Sequence, residues 1–114
     1  MDLVDRIQEF LEEDLRTLFP KRQFKGWKSS KSKKDFIWYT KGDYVFRLED
    51  DGNAVSIFLQ WPASLGDRFV PSGRSWMASK SGNKYSLSTD SDEETWSDDV
   101  ATLKKIMKLF ISKA

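Results

Sequence analysis

Residues 43–61 read DYVFRLEDDGNAVSIFLQW. Tyr44, Phe46 and Leu48 alternate with Val45 and Arg47, the two-residue period of a strand that turns one face to a core. Asp50, Asp51, Gly52 and Asn53 follow, a turn sequence in which Gly and Asn accept positive φ at little cost. Ala54 to Trp61 then carries Val55, Ile57, Phe58, Leu59 and Trp61, a second strand. Two strands joined by so short a turn pair antiparallel. This stretch therefore predicts an antiparallel sheet.

Working outward, Asp35 to Thr40 (Phe36, Ile37, Trp38, Tyr39) predicts a strand before the hairpin, with a turn at Lys41 and Gly42. After it, Pro62 to Gly73 reads as a loop with a short strand at Arg68 to Val70. Ser75 to Ser79 and Lys84 to Thr89 read as strands joined by a turn at Ser81, Gly82 and Asn83. Residues 35–89 thus hold about four or five antiparallel strands.

Helical spacing brackets them. Leu3, Ile7, Phe10, Leu11, Leu15 and Leu18 place one apolar stripe on a helix over residues 2–19, with Asp2 as N-cap and Pro20 as its stop. Trp96, Val100, Leu103, Met107 and Phe110 do the same for a helix over 91–113, which Ser91 and Glu94 open as a capping box. Asp92, Glu93 and Glu94 near its start and Lys104, Lys105, Lys108 and Lys113 near its end suit the helix dipole. The expected fold is one α+β domain over residues 1–114. Its meander sheet carries the N-terminal and C-terminal helices on one face, and the other face is exposed or used.

Composition limits the chemistry. The chain has 114 residues, with no cysteine and no histidine. Thiol nucleophiles, disulfides and histidine-based triads are excluded. Asp43, Glu49, Asp50 and Asp51 lack the spacing of a metal nuclease, and Asp50 and Asp51 read as turn formers. The glycines are scattered singly, so there is no phosphate-cradling loop. The acids between Asp90 and Asp99 lack the alternation and central glycine of a calcium loop. No enzyme, no cofactor and no metal is expected. Acids at Asp2 and Asp5 interrupt any signal-peptide pattern and no apolar run reaches membrane-spanning length, so a cytoplasmic protein with no membrane contact is expected.

Binding remains. Residues 21–34 hold seven bases and no acid, although the whole chain has a formal net charge of only +1. Lys and Arg that follow phosphates, interleaved with rings that stack on bases, are the equipment of nucleic-acid binding. The residues expected to form that site are Lys21, Arg22, Phe24, Lys25, Trp27, Lys28, Lys33, Lys34 and Trp38. The ligand would be single-stranded nucleic acid or a modified duplex. A second basic patch of Arg68, Arg74, Lys80 and Lys84 would reinforce this reading if it shared a face with the first. The alternative is a protein–protein module, such as a small inhibitor, immunity protein or adaptor, because five Trp exceed what one small core needs. Trp61, Trp76 and Trp96 would then be docking anchors.

One stretch resembles a known family. Pro71, Trp76, Met77, Ala78, Ser79 and Gly82 are spaced as in frataxins, which share the helix–sheet–helix order. The resemblance implies a similar architecture. Glu9, Glu12, Glu13 and Asp14 match the helical part of the frataxin acidic ridge, but the basic segment that follows departs from it, so iron binding is not carried over.

Overall fold

The computed structural model describes residues 2–18, 26–29, 35–72 and 76–114. The fold is α+β, an antiparallel sheet with helices at both ends of the chain. At the N-terminus, α1 (Leu3–Glu9) leads through a π-helical turn (Phe10–Asp14) into α2 (Leu15–Leu18). Six strands follow: β1 (Lys28–Ser29), β2 (Asp35–Lys41), β3 (Tyr44–Asp50), β4 (Val55–Pro62), β5 (Met77–Ser81) and β6 (Lys84–Ser91). The chain continues into α3 (Trp96–Lys113).

The quoted hairpin forms as its sequence predicts. Val45 pairs with Gln60 and Asp50 with Val55, without interruption. The turn is closed by the Asp51 N–H donating to the Ala54 carbonyl at 3.0 Å and the Gly52 N–H donating to the Asp50 carboxylate at 3.1 Å. Gly52 has φ +79°, the left-handed conformation that a side chain would strain.

Three features depart from the expected meander. The sheet order is β1-β2-β3-β4-β6-β5. The chain leaving β4 passes beyond the position of β6, and the β5–β6 hairpin then folds back so that β6 lies against β4. Only pairing between distant residues decides this order. The expected strand at Arg68 to Val70 is instead a turn, in which the Val70 N–H donates to the Asp67 carbonyl at 3.0 Å. Within the segment expected to be a basic loop, Lys28 and Ser29 form a short edge strand opposite Thr40 and Tyr39.

The N-terminal helix is capped as predicted, with the Asp5 N–H donating to the Asp2 carboxylate at 2.9 Å. The π turn has a packing consequence. An α-helix would bring Asp14 around beneath Phe10, whereas a five-residue turn brings Leu15 there instead. Phe10 and Leu15 are accordingly both buried, and Asp14 swings out to meet Lys104 at 3.0 Å. The expected stop at Pro20 lies outside the described residues.

The capping box at Ser91 is also corrected. Ser91 still pairs with Val55 as the last residue of β6. Asp92 opens the helical turns instead, accepting the N–H groups of Glu94 and Thr95 at 2.9 and 3.0 Å. Ser91 is fully buried and donates to the Asp99 carboxylate at 2.7 Å. That contact ties the end of β6 to the first turn of α3.

One face of the sheet is the core. Ile37, Phe46, Leu48, Ile57, Leu59, Trp61 and Leu87 project into it, and Ile7, Phe10, Leu103, Met107 and Phe110 close it from the helices. The other end of α3 is fastened by Lys41 and Tyr44, which donate to the Ala114 and Lys113 carbonyls at 2.8 and 3.0 Å. These contacts satisfy carbonyls that a helix end leaves without partners.

Candidate docking surface

The opposite face of the sheet carries no described helix. Strand register aligns its side chains into rows. Trp38 pairs with Arg47, Arg47 with Phe58, Phe58 with Ser88, and Ser88 with Met77. A single row of Trp, Arg, Phe, Ser and Met therefore crosses five of the six strands. Met77, at the β5 edge, is 74% exposed. Trp38 and Phe58 are half-buried, and the Arg47 guanidinium covers the Trp38 ring. The next row runs from Lys28 through Thr40, Val45 and Gln60 to Ser86 and Ser79.

Arg47 organises the surface. Its guanidinium lies 4.3 Å from the centroid of the Trp38 ring. Its Nε donates to Asp35 at 2.7 Å, and it meets Glu49 at 2.5 Å. A bulge between Asp35 and Ile37 makes this possible. With strict alternation from Ile37, Asp35 would point into the apolar core. The extra residue turns it to the open face, beneath Arg47, while Phe36 stays packed on the core. Arg47 therefore holds the Trp38 ring down on the sheet and has its charge matched by two carboxylates.

Of the residues expected to bind nucleic acid, the three described ones, Trp27, Lys28 and Trp38, do not all lie on one face. Trp38 and Lys28 share the open face. Trp27 lies on the helix-covered side, with its ring centroid 5.9 Å from that of Phe110. Alternation across the short β1 strand explains the split, since Trp27 and Lys28 are neighbours and point to opposite faces. Lys21, Arg22, Phe24, Lys25, Lys33 and Lys34 lie outside the described residues, as does Arg74. Of the second basic patch, Arg68 sits beside α3, while Lys80 and Lys84 lie on the β5–β6 hairpin. On the open face, the described cations Lys28, Arg47 and Lys84 are balanced by Asp35, Glu49 and Asp90.

The expected docking anchors divide as well, and Trp96 is buried in the core against Phe10. Trp61 has no exposed surface, which corrects its assignment to a docking surface. Its odd position in β4 sends it inward, where it stacks on Tyr85 at 5.3 Å and donates from Nε1 to the Gly66 carbonyl at 2.8 Å. Trp76 is half-buried against the core, one residue before the exposed Met77. Sequence reading missed Arg47, Phe58 and Met77 as partners of Trp38. The alternation in residues 43–49 already places Arg47 opposite the apolar face, but only the register across four strand pairs shows that these residues form a row.

A cleft of about 530 Å³ at one end of the sheet is lined by Leu3, Ile7 and Phe36 beneath Asp2, Asp50 and Asp92. Among the described residues, no three carboxylates converge closely enough to hold a metal ion. No described helix is long and apolar enough to cross a membrane.

Comparison with known proteins finds no matching family model, no matching curated protein and no matching solved structure. The frataxin-like spacing around Trp76 thus rests on those residues alone, and no family is assigned.

Proposed function

We propose that this protein is a non-enzymatic binding module that docks a protein partner on the open face of its sheet. The observation that carries this reading is the row formed by Trp38, Arg47, Phe58, Ser88 and Met77. It combines a rigid aromatic ring, an arginine and a methionine, the residue types enriched where proteins meet. Trp38 is already held against the sheet, so little side-chain entropy remains to be lost on docking. Arg47, the cation within the row, is matched by Asp35 and Glu49, which supports a protein rather than a polyanion there, because phosphate contacts draw on unpaired cations.

One observation favours the nucleic-acid reading as a second choice. Lys28 stands on the same face as Trp38, one row away, and the chain continues from it into Lys31, Lys33 and Lys34.

The test uses a photo-crosslinking residue in place of Met77, with the same residue at the exposed helical position Ala101 as control, in extract of the source cells. The expected result is a discrete protein adduct from position 77 that is absent from position 101. The adduct should be competed by wild-type protein and lost with Trp38→Ser. Identical adducts from both positions would overturn the protein reading. In parallel, anisotropy titration of labelled oligonucleotides at two salt concentrations decides the second reading, which requires binding that weakens steeply with salt.

A further inference from the structure

A second surface lies on the opposite side of the molecule and is independent of the open face. Thr102, Lys105, Ile106 and Leu109 recur along one flank of α3 at helical spacing. Facing them is the turn at residues 68–72. Between the two walls runs a groove of about 300 Å³. Leu109 is 54% exposed at its rim. Ile106, Val70 and Pro71 join Leu109 as the apolar lining of the groove.

The walls are fixed before anything binds. Phe69, only 3% exposed, is wedged between Trp61 and Phe110, at centroid distances of 5.0 and 5.9 Å. The Trp61 indole N–H holds the Gly66 carbonyl at the start of the turn. The core tryptophan thus shapes a surface without being part of it. A preformed groove loses less entropy on binding than one that must be ordered.

The charge on the groove has one sign. Arg68 stands on one wall and Lys105 on the other, and among the described residues no acid lines the space between. Neither cation makes an ion pair among the described residues, whereas the neighbouring Lys104 is paired with Asp14. Two separated cations across an apolar strip are a poor match for a polyphosphate chain, which needs a line of cations and rings to stack on. Phe69, the one aromatic side chain among the described residues that line the groove, is buried.

We infer that this groove docks an acidic amphipathic peptide segment of a partner protein. An aliphatic or aromatic side chain of the segment lies against Ile106 and Leu109, and flanking carboxylates reach Arg68 and Lys105.

The test is fluorescence anisotropy with the intact protein and three labelled probes. These are the peptide Glu-Asp-Leu-Phe-Glu-Asp, an all-glutamate peptide of equal net charge, and a single-stranded oligonucleotide. The first peptide should bind at least about tenfold more tightly than the second, the ratio expected from burying one large apolar side chain. Leu109→Ser should remove most of that difference, and Arg68→Glu combined with Lys105→Glu should abolish binding. Met77→Ser, on the open face, should leave binding unchanged, which separates this groove from the surface proposed above. All these positions are exposed, and unaltered thermal melts would confirm that each variant folds. Equal affinity for the two peptides, tighter binding of the oligonucleotide, unchanged binding by Leu109→Ser, or no binding at all would overturn the inference.

Discussion

Ile57 and Phe58 are neighbours in β4, and they belong to different environments. Ile57 is fully buried beneath the helices, while Phe58 lies half-buried on the open face between Arg47 and Ser88. The same holds for Phe46 and Arg47 in β3, and for Leu87 and Ser88 in β6. On the covered side the strands contribute aliphatic and aromatic side chains that interlock with α1 and α3. On the open side they contribute a mixed row in which an arginine is held by two acids and a tryptophan. The first arrangement stabilises the fold. The second leaves more side-chain surface exposed, the surface that the proposed docking would use.

Substitutions at adjacent positions test this contrast directly. Ile57→Asp places an unpaired carboxylate in the core, at a cost of several kcal/mol, and is expected to unfold the protein. Phe58→Asp should fold with a nearly native denaturation midpoint. Equal loss at both positions, read by urea titration, would erase the distinction between the faces.

Trp61→Ala is the next largest effect. Removing a fully buried tryptophan costs about 3–5 kcal/mol and frees the Gly66 carbonyl. A cost below about 1 kcal/mol, typical of surface positions, would return Trp61 to the docking candidates.

Asp99→Ala leaves the buried Ser91 hydroxyl without that acceptor, and the expected cost is about 1–3 kcal/mol. Chemical denaturation of the single variant, with Ser91→Ala and the double variant for comparison, isolates the coupling between β6 and α3.

Met77→Ser should alter stability by less than about 0.5 kcal/mol while competing less well than wild-type protein against the adduct formed by the photo-crosslinking residue at position 77. A large stability loss here would mean that the β5 edge is structural.

The smallest effect belongs to neither face. The backbone N–H of Thr95, with help from that of Glu94, holds the Asp92 carboxyl below the usual carboxylate range. Its folded-state pKa is lowered, so its contribution to stability is present above the unfolded value of about 4. That contribution is lost as pH falls through the folded value. Asp92→Asn should therefore lower stability slightly at neutral pH, leave it nearly unchanged in acid, and so flatten the acid limb of the stability–pH curve. An acid limb identical to wild type would remove Asp92 as the cap.

The sequence by itself determined the local elements. The period of two in residues 43–49 and the turn at Gly52 require an antiparallel hairpin, and Asp2 with the stripe through Leu3 and Ile7 requires a helix. These signals are legible because they depend on residues a few positions apart. Tertiary structure decided which residues act together. The placement of β6 between β4 and β5, the bulge that turns Asp35 outward, and the π turn that exchanges Asp14 for Leu15 all answer to partners far along the chain. They also decide the candidate site. Alternation shows that a strand has two faces, but not which one the helices will cover, and it cannot align Trp38 with Met77 across intervening strands. Trp27, Trp38 and Trp61 look alike in the sequence. One packs on Phe110, one lies under Arg47 on the open face, and one is sealed in the core, because burial is settled by what the rest of the chain brings against each ring.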